Sequence, residues 1–305
     1  MPQRLAAAGI ALSALAAYGN TFGNAWVYPH VADIVDNPTL KHIWPIWPVL
    51  VPPATGGLTV GGRPLVNLSL ALNYALGGTA VWGYHAVNLL IHILAGLTLF
   101  GIVRRTLEMT VPRESKNEHT VFAFSVALLW TLHPLQTEAV TYVVERAESM
   151  MGLFFLLTLY CFIRSAAKAP SYVPPGGTSE GEKAGGDVWS WLSIACCLFG
   201  MATKEVMVTA PVIVFLYDRA FLAGSFAAAW RRNRRFYSAL ASTWILAAVL
   251  AVTTGSRGGT AGFGTGISWW AYIQIQFGAI LHYLRLTVWP HPLIFDYGTQ
   301  WARGG

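Results

Sequence analysis

The chain has 305 residues, of which 54% are hydrophobic and only 11% charged, too few polar side chains to cover a soluble globule of this size. A lipid-facing surface resolves the shortage, and in hydrocarbon each apolar stretch must close its backbone hydrogen bonds internally, so these stretches are read as helices. The formal charge of +6 raises nucleic acid as a partner, a reading that the placement of the basic residues removes below.

In chain order, the run 5–18 after Arg4 is a first span; no convincing small-residue cleavage site follows it, which argues against a removed signal peptide. A long segment, 19–83, comes next. It holds nine prolines or tryptophans between Trp26 and Pro53 and then an apolar stretch, 64–76, a composition that predicts short helices lying along a membrane surface. Seven further stretches span or enter the membrane: 84–103, 121–132, 150–163, 188–203, 206–222, 237–254 and 269–289. The expected fold class is all-α, a polytopic membrane helix bundle of about seven or eight spans in a single domain over 1–305, with 19–83 as a large first extracytoplasmic loop. The segment 169–187, rich in Pro, Gly, Ser and Glu, reads as a flexible cytoplasmic linker, and 230–236 as a basic cytoplasmic loop.

Alternation from an inside N-terminus puts thirteen Lys and Arg on inside segments, among them Arg104, Arg105, Arg164 and Arg231 to Arg235. It leaves Lys41, Arg63, Arg146, Lys204 and Arg257 outside, with Arg285 and Arg303 at an ambiguous end. This asymmetry sets the orientation and makes the arginine run 230–236 a topology signal or headgroup contact, so nucleic acid is not a partner. Cys161, Cys196 and Cys197 lie in apolar segments and offer neither a disulfide framework nor a zinc spacing.

The outside segments carry the polar groups that suit chemistry: His30, Asp33 and Asp36; Arg63; Glu138, Glu145, Arg146 and Glu148; Lys204 and Glu205. Carboxylates together with cations at an interface fit a substrate with an anionic phosphate and a lipid tail, although Glu145, Arg146 and Glu148 equally fit ion pairs that hold helix ends. His85, Asn88 and His92 form a polar stripe at spacings of three and seven, which suits either a haem or pigment ligand or, more commonly, a buried hydrogen-bonded seam.

Six stretches carry a family resemblance: VYPHVADIVDNPTL (27–40), GGRPLVNLSLALNYALGG (61–78), YHAVNLLIHILAGLTLF (84–100), HPLQTEAVTYVVERAESMMGLF (133–154), ATKEVMVTAPVIVFLYD (202–218) and YLRLTVWPHPLIFDYG (283–298). In this order they resemble the C-type (GT-C) glycosyltransferases, in particular the transmembrane O-mannosyltransferase group. The resemblance implies an inverting transfer of a sugar from a polyprenyl-phosphate carrier on the extracytoplasmic face, in a multi-pass membrane protein, of the cytoplasmic membrane if the source is bacterial. It implies donor or headgroup contact by Arg63, Glu145, Arg146, Glu148, Lys204 and Glu205. It also implies an acidic pair in the first outer loop, where this sequence reads Tyr28–Pro29–His30–Val31, so that His30 or Asp33 must serve as base. Relatives continue past the position of Gly305 into further spans and often tetratricopeptide repeats. The resemblance leaves metal use open, with a divalent ion fitting an active enzyme, and the altered acidic pair sets against it a catalytically silent relative serving as a subunit of a larger membrane complex.

Overall fold

The structure is a computed structural model that describes residues 1–26, 34–51, 60–111, 116–167, 188–254 and 269–294. His30 and Asp33, and the linker 169–187, lie outside the described residues.

Eleven α-helices are described: α1 Gln3–Tyr18, α2 Trp47–Leu50, α3 Pro64–Gly77, α4 Val81–Thr110, α5 Lys116–Thr131, α6 Thr137–Thr141, α7 Arg146–Ala166, α8 Val188–Met201, α9 Ala210–Asp218, α10 Phe226–Thr254 and α11 Trp269–Val288. No strand occurs among the described residues. Five helical stretches are long and apolar enough to cross a membrane: Gln3–Gly23, Val81–Thr110, Val143–Ala166, Glu205–Ala223 and Phe226–Thr254. The chain is thus a multi-pass helical membrane protein. The stretches expected at 121–132 and 188–203 form the shorter helices α5 and α8, buried in part against neighbours.

The helices outrun the apolar windows that announced them, because helical hydrogen bonding continues through polar residues once the chain leaves the hydrocarbon. At 1.5 Å per residue α4 is about 45 Å long, more than a bilayer core of about 30 Å. The arginine-rich segment 230–236, expected as a loop, is part of α10, which kinks at Asn233. Only the stretch after the kink, 234–254, has the length of a span, about 30 Å.

α7 is the central helix, packed against α4 on one side and α8 on the other, with α1 and α5 on the far side of α4, α10 against α8, and α9 against both α7 and α10. Close approach depends on small residues, as expected where lipid tails supply no hydrophobic drive between helices. A Cβ on Gly96 of α4 would lie 2.5 Å from Thr131 Oγ1 and 3.3 Å from Ile10 Cγ2, so this glycine sets the α1–α4–α5 contact. α3 starts on Pro64, where the missing N–H costs nothing, and stops at Gly78, whose φ of +57° favours glycine. The buried Asn67 of α3 donates to Thr39 Oγ1 at 3.0 Å and to the Val49 carbonyl at 2.7 Å, tying down the segment 34–51.

The two ends of the bundle differ. At one end, Arg105 lies over the Tyr160 ring, Arg164 sits 4.0 Å from the Trp189 ring centroid, and Thr106 bonds Tyr217. There too the buried Asp218 pairs with Arg232 and accepts a hydrogen bond from Tyr237. Alternating helices bring the C-termini of α4, α7 and α9 to this end together with the starts of α8 and α10. The other end gathers the carboxylates and cations of the candidate site. α11 breaks the alternation. Thr254 at the end of α10 lies beside Gly62, and Thr287 near the end of α11 lies 3.1 Å from His133 Nε2, so both helices finish at the candidate-site end.

Candidate active-site chamber

The chamber is built where three chain reversals meet. After α5 the chain turns at His133, whose Nδ1 accepts from the Leu135 amide at 3.2 Å, and Pro134 opens a 3₁₀ turn that leads into α6. α6 is only five residues long, and a second 3₁₀ turn, Val143–Glu145, feeds α7. Ser149 in the first turn of α7 donates to the Ala139 carbonyl, which locks α6 across the start of α7. Lys204 lies three residues past the end of α8.

These reversals leave a polar cavity of about 460 Å³ whose wall includes His92, Gln136, Glu138, Glu145, Glu148 and Lys204. Lys204 Nζ is ion-paired with Glu148, and both side chains keep access to the cavity. Glu138 has neither a hydrogen bond nor an ion pair within 4 Å among the described residues. Partial burial, with the neighbouring Glu145 and Glu148 carboxylates, raises its pKa, and Lys204 opposes the shift. Three carboxylates and one ammonium therefore share the wall.

A second cavity of about 440 Å³ abuts the first, with Leu135, Glu138 and Tyr283 on the walls of both. It is mostly apolar. α11 and the segment after it supply Leu286, Leu293 and Ile294, and α4 supplies His85, which is 2% exposed and whose two ring nitrogens have no hydrogen-bond partner among the described residues.

Of the residues expected to contact substrate, Glu145, Glu148 and Lys204 come together on the polar wall. Arg63 and Glu205 pair with each other at 3.9 Å, held near the chamber by the Leu65 amide, which bonds the Ala202 carbonyl at 3.1 Å. Arg146 is placed elsewhere. It is fully buried, donating from Nε to Asn88 Oδ1 at 2.7 Å, from Nη2 to the Tyr84 carbonyl at 3.0 Å and from Nη1 to the Ser69 carbonyl at 3.3 Å. It thus joins α7 to α3 and α4 and stands behind the wall rather than on it. His92 is engaged as well: its Nε2 bonds the Thr131 carbonyl at 2.9 Å and its ring stacks on Trp130, the hydrogen-bonded seam rather than a free metal ligand. Among the described residues no group of three or more His, Cys, Asp and Glu could hold a metal ion.

The fold and chamber define a class: a polytopic helical membrane protein with a charged chamber at one end of the bundle and an apolar cavity opening beside it. Comparison with known proteins narrows the class. The chain is 31% identical over 220 residues to protein O-mannosyl-transferase TMTC2 of Xenopus laevis, covering 66% of this chain and 22% of the relative. It is 30% identical over 226 residues to protein O-mannosyl-transferase TMTC1 of Homo sapiens, covering 70% and 23%. To human protein O-mannosyl-transferase TMTC2 it is 34% identical over 159 residues, covering 51% and 16%. The chain thus matches about a fifth of the length of these relatives. No family model and no solved structure matches it.

Proposed function

We propose that this chain is the membrane-embedded core of a glycosyltransferase that moves a sugar, mannose by analogy with the named relatives, from a polyprenyl-phosphate carrier to a hydroxyl acceptor at the extracytoplasmic face. The observation that carries the reading is the chamber itself, a polar cavity with an ammonium group, adjoining an apolar cavity at a membrane helix end. In such a site Lys204 holds the donor phosphate by exchanging Glu148 for it, a charge-assisted contact of the kind that fixes phosphates elsewhere. The apolar cavity and the exposed flank of α11, with Phe277, Leu281 and Leu284, accommodate hydrocarbon. Arg146 acts by position: it fixes the register of α7 so that Glu145 and Glu148 face the cavity.

A second reading, a catalytically silent relative held in a larger membrane complex, is favoured by Pro29–His30 at the place of the acidic pair. One experiment separates them. The full chain in liposomes is given polyprenyl-phosphate mannose with a radioactive sugar and a serine- and threonine-containing peptide. Transfer to the peptide, reduced tenfold or more in Lys204→Met, supports the transferase. No transfer by the natural chain, or equal rates in both, refutes it.

A further inference from the structure

The first outer loop reads Pro29–His30 where the resemblance implies an acidic pair, yet a hydroxyl cannot become a glycosidic oxygen without losing its proton. A general base must lie within hydrogen-bond reach of that hydroxyl, and the described carboxylates differ sharply in their freedom to serve. Glu148 is held by Lys204, and Glu205 by Arg63. Glu145 lines the polar cavity alone. Glu138 lines both cavities and has no hydrogen bond or ion pair among the described residues. It therefore stands at the junction between a chamber suited to a sugar phosphate and a separate route of approach.

His85 adds a buried polar ring to the wall of that route. A buried imidazole with both nitrogens unpartnered is costly, and this ring forms part of the wall of the apolar cavity.

We infer that Glu138 is the catalytic base of the transfer, accepting the proton of an acceptor hydroxyl that enters through the cavity containing His85. This rests on the transferase reading above. The hydroxyl oxygen forms a bond to the anomeric carbon as the bond from that carbon to the phosphate oxygen breaks. The electron pair leaves on the phosphate, the hydroxyl proton passes to the Glu138 carboxylate, and water later removes it. The charged and titratable groups around this carboxylate are Tyr142 and Glu145 before α7, Glu148 from α7, Lys204 after α8, His85 and His92 from α4 and Tyr283 from α11. The raised pKa of Glu138 places the acid limb of the rate above the ordinary glutamate range.

The test compares the natural chain with Glu138→Gln in liposomes, using polyprenyl-phosphate mannose and either the hydroxyl peptide or azide, an anionic nucleophile with no proton to lose. Loss of the base lowers transfer to the peptide by about 100- to 10,000-fold. It also removes the acid limb and leaves formation of mannosyl azide within a few-fold of the natural chain. Peptide transfer within threefold of the natural chain, with the acid limb intact, overturns the assignment and leaves the transferase standing. Loss of both reactions also overturns it, since Glu138 then serves binding or folding. Absence of transfer by the natural chain removes both proposals together.

Discussion

Replacing Arg146 with Met keeps most of the volume and removes the guanidinium that joins three helices. Three hydrogen bonds from a charged donor are lost, each worth about 1.5–3 kcal/mol in water-soluble proteins but averaging nearer 0.6 kcal/mol between membrane helices. The Tyr84 and Ser69 carbonyls lie within helices and retain backbone partners, so Asn88 Oδ1 is the acceptor left stranded, at about 1–3 kcal/mol. Against this stands the relief of no longer burying a charge. The balance is a loss of about 2–5 kcal/mol, which lowers Tm on the order of 10 °C. Cys161 and Cys197 are buried, so in a Cys196→Ala background a thiol-reactive fluorogenic dye reports the melt in detergent. Arg146→Lys keeps the charge without the planar fork and recovers part of the loss. An unchanged Tm in Arg146→Met refutes the post that this residue is taken to form, as does a full rescue by lysine.

Asp218→Ala strips the buried carboxylate that Arg232 and Tyr237 share, and the same dye assay should show a loss of about 2–4 kcal/mol. Gly96→Val forces a side chain into Thr131 and Ile10, at a cost of about 1–3 kcal/mol or more and with loosened packing of α1, read as earlier melting and as proteolysis near the N-terminus. Because the Glu138 pKa is raised in the fold, the native state holds this proton more tightly than the unfolded chain. Stability from this group is therefore present at low pH and lost as pH rises through the raised pKa. Glu138→Gln should melt at the natural temperature or above it at neutral pH, even as transfer falls, and a lower Tm there contradicts the repulsion described. Glu205→Ala, breaking a 3.9 Å pair whose carboxylate is 54% exposed, should change stability by less than about 1 kcal/mol.

Much of the bundle was legible because apolar runs in α1, α4, α7, α9 and α10 must be helical in lipid, whatever packs against them. Alternation alone put Glu145, Glu148 and Lys204 on one side of the membrane, and the chain reversals put them on one wall. The place of Arg146 did not follow from alternation. On α7 residue 148 is turned about 200° from 146, and which face meets α4 is decided by packing that no local pattern encodes. Glu138 stood among the surface carboxylates of the quoted HPLQTEAV stretch, but its freedom from partners and its position between two cavities are properties of the chain reversals around α6. α11 read as one more span by composition. Its end at His133 is a tertiary fact, as is the wall it makes for the apolar cavity.

The most direct test is to map where the donor lipid sits. A photoreactive polyprenyl phosphate is cross-linked to the full chain in membranes and the labelled peptides are identified by mass spectrometry. Labelling within 133–152 and around Lys204, abolished by excess unlabelled polyprenyl phosphate, is the expected result. Competed labelling confined to the arginine-rich start of α10, at the opposite end of the bundle, contradicts the account.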